Sequence, residues 1–268
     1  MTEKARFPLR LRFSGESIEK HGLDLYDGST SFWGIAQAIQ IVVHAYMTGE
    51  VVSRATALKG AEIFFGGPRR GSVLFDLVTI IEQYPATAAL TGAAFYDFVK
   101  FSLSKAAGLL KAKPETPSVY KKLEADETFF DLLAETLEGS LQRAHRAIDY
   151  GVDQITIERP RSGLLTLDKS TSLWVNTREV DPTVKEYSGN ITRYNSISRN
   201  GRAYIRELGK VLPFRPASDF PDSKRGFLTW SLHGDNIAAK KDLKMWASRI
   251  DSAHGDPKRL ILSDCVQA

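Results

Sequence analysis

Residues 189–214 read GNITRYNSISRNGRAYIRELGKVLPF, and this stretch decides the fold of the last third of the chain. Two turn signals, Arg199-Asn200-Gly201 and Leu208-Gly209, interrupt it, because glycine and asparagine accept the backbone angles of tight turns. The segments between the turns carry alternating side chains. They are predicted to be strands over 189–196, 201–208 and 210–214.

The residues that follow continue this pattern of short extended segments and tight turns. Three more strands are predicted over 226–233, 243–251 and 259–264. About six strands in about eighty residues are typical of a small closed β-barrel, in which no strand edge stays exposed. The spacing fits an SH3-like or an OB-like barrel and does not choose between them.

Basic and aromatic side chains alternate on the predicted barrel. Arg202, Tyr204 and Arg206 are two residues apart, so they share one face of a strand and place a phenol between two guanidinium groups. Stacking combined with positive charge is how single-stranded nucleic acid is bound. The alternative is a tyrosine packed beneath arginine stems on a solvated surface. The candidate residues for binding nucleic acid or a partner protein are Arg193, Arg202, Tyr204, Arg206, Lys210 and Arg215.

Positive charge is concentrated in the same part of the chain. The whole sequence carries a net charge of +4. From Glu186 to the end there are 14 Lys+Arg and 9 Asp+Glu, so 14 − 9 = +5, whereas the remainder holds 22 and 23, so 22 − 23 = −1. A basic module favours polyanionic partners such as nucleic acid, and a solvated basic surface is the alternative.

The chain before the barrel mixes strands and helices. Leu9, Leu11 and Phe13 alternate with arginines, which is the period of a strand, and Gly49 is suited to end the helix that precedes it. The predicted elements are a strand over 7–13, a helix from Ser29 or Thr30 to 47, a hairpin with arms 61–65 and 72–78, and two helices over 85–110 and 126–150.

These elements together predict an α+β fold: an N-terminal strand–helix–hairpin layer with two long helices, followed by a small C-terminal β-barrel. The predicted domains are 1–152, an extended connector over 153–184, and the barrel over 185–268. The first helix of the pair is rich in alanine and glycine, which suits close packing against a symmetric copy, so homo-oligomer formation is expected. The same face could instead pack within one chain.

Composition excludes several classes of protein. With 43% hydrophobic residues the chain can bury a core, and its single cysteine excludes a disulfide scaffold and a four-thiolate metal site. We expect neither a signal peptide nor a membrane span, and therefore a cytoplasmic protein. No cofactor or metal is predicted.

Few residues are candidates for chemistry. No catalytic residue is predicted, because no nucleophile motif, paired histidine ligands or phosphate loop with a helix behind it is present. Arg69 and Arg70 lie in the glycine-rich loop of the predicted hairpin and are candidates for binding a small anion, or else an exposed loop tip. His233, at the end of a predicted strand, is retained as a weak site candidate.

Several strings resemble a family of uncharacterised bacterial proteins with an N-terminal α+β domain and a C-terminal barrel. They are Leu23-Asp24-Leu25-Tyr26-Asp27, the hairpin around Arg69-Arg70-Gly71-Ser72, Tyr96-Asp97-Phe98-Val99-Lys100, and Gly189-Asn190-Ile191-Thr192-Arg193. The resemblance implies a link to mobile elements or anti-phage defence. It assigns no site residue.

The function expected from all of this is non-enzymatic binding or assembly, with the barrel contacting nucleic acid or a partner protein. Binding residues can be named and catalytic ones cannot. Two alternatives stay open: a hydrolase or nuclease whose site carries no recognisable motif, and a sensor of a small anionic nucleotide ligand.

Overall fold

The computed structural model describes residues 4–52, 61–65, 74–82, 92–109, 111–176, 179–237, 239, 241–252, 255 and 257–268. The chain divides into two units. The first comprises Met1–Ala125 and Leu132–Asn176, and the second comprises Asp126–Asp131 and Thr177–Ala268. None of the helices in these described ranges is long and apolar enough to cross a membrane.

The first unit contains an antiparallel sheet in the order β2-β3-β1-β4-β5. Its strands are β1 (Lys4–Ser14), β2 (Ala61–Phe65), β3 (Leu74–Glu82), β4 (Gln154–Arg159) and β5 (Ser162–Asp168). Its helices are α1 (Glu16–His21), α2 (Leu25–Thr48), α3 (Gly92–Ala106), α4 (Pro117–Ala125), α6 (Arg146–Asp149) and α7 (Lys169–Asn176), and α5 (Glu127–Ala144) contributes its residues from Leu132 onward.

The middle strand, β1, follows from its alternating sequence. Phe7, Leu9, Leu11 and Phe13 are buried, and the arginines between them lie on the opposite face of the sheet. Each fully buried leucine stabilises the fold by roughly 1.5–3 kcal/mol. The predicted pairing of the two hairpin arms is also confirmed, but β2 lies opposite residues 77–81, so the second arm extends to Glu82 rather than ending at 78.

Helix α2 starts earlier than the sequence predicts. Asp24 caps it by accepting a hydrogen bond from the Asp27 N–H at 2.8 Å, so the helix begins at Leu25 rather than near Ser29. Gly49 ends it in the left-handed conformation with φ 74°, as predicted.

Two segments that were predicted to be extended form helices. Residues 172–176 belong to α7, whose start is capped by the Asp168 side chain, and residues 226–233 belong to the barrel helix described below. The expected connector over 153–184 instead contains β4, β5, α7 and the start of the next strand. Strand β4 pairs with β1, which makes this stretch part of the first sheet.

The second unit is a closed five-stranded barrel in the order β10-β8-β7-β6-β9. Its elements are β6 (Glu179–Tyr194), β7 (Gly201–Ile205), β8 (Lys210–Pro216), α8 (Arg225–Asn236), β9 (Leu243–Asp251) and β10 (Pro257–Gln267). The third and fifth strands, β8 and β10, are parallel, and α8 lies between the third and fourth strands in the chain. This order is that of the OB-type Greek-key barrel. The predicted α+β fold with a small C-terminal barrel is confirmed.

Residue 145 interrupts the last predicted long helix, separating α5 from α6. The His145 ring is completely buried: Nδ1 donates to the Leu141 carbonyl oxygen at 2.7 Å, and Nε2 lies 2.9 Å from Thr171 Oγ1. Burial lowers the pKa of His145, and the Leu141 carbonyl and the nearby carboxylates of Asp149 and Asp168 oppose that shift. The folded protein therefore favours the neutral form of the ring.

We expect the free energy of unfolding to fall as the pH drops below the ordinary histidine pKa of about 6.5. The unfolded chain takes up a proton at His145 there and the folded chain resists it, whereas above that pH the stability is fully present. Urea unfolding of the wild type and His145→Asn, between about pH 7.5 and pH 5.5, measures the effect. Identical pH slopes for the two proteins would contradict it.

Candidate anion-binding site

The barrel places the predicted binding residues on its outside, but not as one free basic face. Arg202 and Tyr204 point outward from β7, between the buried Gly201, Ala203 and Ile205. Arg206 lies beyond the strand in a short 3₁₀ turn and pairs with Asp242 at 2.5 Å. Lys210 and Arg215 are exposed on β8.

Carboxylates neutralise the central arginine of this set. Arg202 Nη1 lies 2.6 Å from Glu127 Oε1 and 3.2 Å from Asp131 Oδ2, and its side chain is only 14% exposed. Arg193 Nε lies 3.6 Å from the other oxygen of Glu127. A phosphate could reach Arg202 only by displacing two carboxylates, so this guanidinium serves the structure of the second unit.

Of the remaining predicted candidates, only His233 lies within the described residues. His233 is exposed and lies in α8, not at the end of a strand as predicted. Arg69 and Arg70 lie outside the described residues. Cys265 is buried, and burial raises the pKa of its thiol to about 11, which keeps it protonated and unreactive at neutral pH.

A motif singled out by the resemblance proves to be structural. Asp97 on α3 is 3% exposed and accepts hydrogen bonds from the Glu115 N–H, the Thr116 N–H and Thr116 Oγ1. The carboxylate therefore satisfies the backbone donors that precede α4. Asp97 anchors that loop to α3.

The open face of the first sheet carries a pocket of about 420 Å³ that the sequence did not reveal. Because β1 alternates, Arg10 and Arg12 project from the face opposite its buried leucines. Strand β4 pairs with β1 and brings the β4–β5 turn to the same place. The charged residues that line the pocket are Arg10, Arg12, Arg159, Arg161, Asp76 and Glu158.

The pocket keeps a positive charge after its ion pairs are formed. Arg10 Nε lies 3.0 Å from Asp76 Oδ1, and Arg12 Nε lies 3.1 Å from Glu158 Oε1. Four arginines against two carboxylates leave 4 − 2 = +2. Within the described residues, the terminal nitrogens of Arg10 and Arg12 make no hydrogen bond, so they are available as donors.

The turn between β4 and β5 holds an arginine in an unusual backbone conformation. Arg161 has φ 73° and follows Pro160, which is the arrangement of a type II turn, where glycine is usual. A side chain in that region costs about 1 kcal/mol or more. Arg159 Nε donates to Ser162 Oγ at 2.8 Å across the same turn. The turn therefore places Arg161 in the pocket lining in a conformation that glycine would adopt without strain.

The lining residues provide binding groups rather than acid–base groups. Arginine stays protonated at physiological pH, and both carboxylates in the pocket are paired with arginine. Among the described residues there is no cluster of three or more His, Cys, Asp or Glu that could hold a metal ion.

Comparison with known proteins identifies a family for the part of the chain that contains the pocket. Residues 9–176 match the model of a family described as a domain of unknown function, DUF7946. The match covers more than half of the chain, which therefore belongs to that family. It contains all the charged residues of the pocket and ends before the barrel. No curated protein and no solved structure matches the chain.

Proposed function

We propose that this member of the DUF7946 family is a non-enzymatic binding protein that holds a phosphorylated ligand in the arginine-lined pocket of its first unit. One observation carries the proposal: four arginines surround a cavity of about 420 Å³ with a net charge of +2. Guanidinium groups bind phosphate oxygens through paired, charge-assisted hydrogen bonds.

The size and charge of the pocket support this ligand class. Binding sites for small molecules typically measure about 300–1,000 Å³, so the cavity can take a ligand of nucleotide size. A phosphate monoester carries about −1.5 to −2 at neutral pH, which balances the charge of the lining. The phosphate could belong to a free nucleotide or to the end of an oligonucleotide.

A binding role is favoured over the hydrolase or nuclease alternative by the chemistry of the lining. General acid–base catalysis needs a group whose pKa lies near the working pH. The pocket lining instead consists of arginines, two arginine-paired carboxylates and small or apolar residues.

The pocket is tested by ligand panels on two variants and a matched control. We expect pyrophosphate and nucleotides to raise the melting temperature of the wild-type protein. Arg12→Gln should weaken their binding about 10- to 100-fold, because one charge-assisted hydrogen bond contributes about 1.5–3 kcal/mol. Arg161→Gly should weaken binding similarly while leaving the free protein as stable or more so, since glycine accepts the positive φ. Arg6→Gln, exposed on the same strand outside the pocket lining, is the control.

The source of the phosphate is distinguished by parallel titrations with free nucleotides and with oligonucleotides that carry either a 5′-phosphate or a 5′-hydroxyl. Calorimetry gives the dissociation constants. Unchanged affinity in both Arg12→Gln and Arg161→Gly, or equal binding of adenosine and its phosphates, would remove the proposal.

A second candidate surface, for oligonucleotide binding, lies on the barrel, and the OB-type strand order supports it. OB-type barrels bind oligonucleotides on the face of their second and third strands and on the first loop. Here these are β7, β8 and the turn 195–200, where Tyr204 is 37% exposed and Ile197 is 93% exposed. Fold alone does not assign function. Oligonucleotide binding that is weakened by Tyr204→Ala or Lys210→Ala, and not by Arg12→Gln, would assign it to this face.

A bacterial origin, a role in anti-phage defence and homo-oligomer formation stay predictions that rest on the sequence. A phosphate-binding protein is consistent with a defence system that recognises nucleotides or nucleic-acid ends. Native mass spectrometry of the protein purified from its host measures both the subunit number and any ligand that is retained.

A further inference from the structure

A second surface of the first unit exposes large side chains that a folded protein normally buries. Leu25 is 87% exposed, Tyr26 71%, Trp33 57% and Tyr150 59%. Tyr26 and Trp33 are seven residues apart on α2, so they lie on the same face of the helix, two turns from each other. Exposed apolar clusters of this kind mark interaction sites. We call Tyr26, Trp33 and Tyr150 the aromatic ridge.

Two arginines hold the aromatic ridge in place. The Arg146 guanidinium lies 4.1 Å from the centre of the Tyr150 ring and 5.9 Å from that of Tyr26, and its Nε contacts Asp27 Oδ1 at 2.8 Å. The Arg143 guanidinium lies 4.6 Å from the centre of the Trp33 ring. Rings fixed before binding lose little conformational freedom when a partner arrives. Tryptophan, tyrosine and arginine are also the residue types that contribute most to protein–protein binding.

A cavity of about 290 Å³ adjoins the aromatic ridge. Tyr150 forms part of its wall, and Asp24 and Asp27 supply carboxylates. Its wall is drawn from the segments 17–28 and 147–152. These two segments carry one lysine and four carboxylates, those of Glu19, Asp24, Asp27 and Asp149, so 1 − 4 = −3. Arg146, which pairs with Asp27, and Lys169, which pairs with Asp149, each offset one of these charges, and the balance stays negative.

We propose that the aromatic ridge and the adjoining acidic cavity dock a protein segment that combines basic and apolar side chains. A lysine or arginine of the segment enters the cavity beside Asp24 and Tyr150, and apolar side chains lie on Tyr26 and Trp33. Nucleic acid is disfavoured as the occupant, because the negative charge around the cavity repels phosphates. This surface is separate from the arginine-lined pocket, and the two proposals stand independently.

The test is a selection of short random peptides displayed on phage against the full-length protein, followed by fluorescence polarisation of the enriched peptides. We expect enrichment of lysine or arginine together with apolar residues. Trp33→Ala should weaken binding of these peptides about 10- to 30-fold, the loss typical of a residue at the centre of an interface. Asp24→Asn should weaken the basic peptides specifically, because asparagine keeps the helix cap but removes the charge.

Tyr120→Ala is the matched control, because Tyr120 is 49% exposed on α4 and belongs to neither the aromatic ridge nor the cavity. Circular dichroism verifies that each variant is folded. Three outcomes would each overturn the proposal. The enriched peptides are acidic, they bind the Trp33→Ala and Asp24→Asn variants as well as the wild type, or the selection enriches nothing. So would displacement of the selected peptides from the wild type by single-stranded oligonucleotides but not by basic peptides.

Discussion

Gly34→Ala is expected to destabilise the first unit severely. The backbone of α2 passes so close to the end of α5 that a Cβ atom at position 34 would lie 2.4 Å from the Ala144 amide nitrogen and 2.6 Å from the Ser140 carbonyl oxygen. Both obstacles are backbone atoms, so no rotation of a side chain relieves the overlap. The Ala147 N–H donates to Ser31 Oγ at 2.7 Å beside this contact, which ties α6 to the same helix.

The expected cost is more than about 3 kcal/mol, since overpacking a core costs about 1–3 kcal/mol when side chains can adjust. That is a large part of the stability of a typical domain. Far-UV circular dichroism and thermal unfolding measure the effect. Gly139→Ala is the control: it lies on α5 with nothing near its Cβ position, so we expect a small gain in stability from helix propensity. A Gly34→Ala protein that melts with the wild type would show that the two helices are not in this contact.

The second large effect is expected for Arg202→Leu. The substitution leaves Glu127 and Asp131 without their shared cation, and the Asp131 side chain is only 10% exposed. Losing one partner of a buried ion pair costs about 3–5 kcal/mol; here Glu127 is a third exposed and solvent reduces the penalty, so we expect about 2–3 kcal/mol.

A rescue variant separates lost charge from lost packing. Glu127→Gln and Asp131→Asn, added to Arg202→Leu, remove the two carboxylate charges that Arg202 balanced and should restore a large part of the stability in urea unfolding. Arg206→Leu serves as the control. Arg206 pairs with Asp242, but its side chain is half exposed, and such exposed ion pairs contribute little to the free energy of unfolding. Equal effects of Arg202→Leu and Arg206→Leu, or no rescue, would contradict the assignment of Arg202 to a structural ion pair.

The sequence predicted those strands, helix ends and turns that are determined by residues close together in the chain. The alternation around Leu9 and Leu11 identified the central strand, Gly49 the end of α2, and Gly201 and Gly209 the turns between barrel strands. Where the pattern was short it failed: residues 226–233 contain tryptophan, phenylalanine and threonine, which favour strands, yet they form α8. The cap that Asp168 provides for α7 is a local signal that could have identified that helix.

The sites depended on contacts between distant parts of the chain and could be predicted only in part. Alternation placed Arg202 on an outer face correctly, but Glu127 is 75 residues away and its pairing with Arg202 has no sequence signature. The arginine-lined pocket needs the strand order β3-β1-β4, which joins residues near 10 to residues near 160. The sequence contains the basic turn Arg159-Pro160-Arg161, but it does not show that β1 lies beside this turn in the fold.

The central claim is that the guanidinium groups of the first sheet bind phosphate. It is tested most directly by NMR of the arginine Nε–Hε signals during titration with pyrophosphate. We expect saturable shifts for Arg10, Arg12, Arg159 and Arg161, and none for Arg6 on the same strand. Shifts confined to arginines of the barrel, or no saturable shift at millimolar pyrophosphate, would contradict the account.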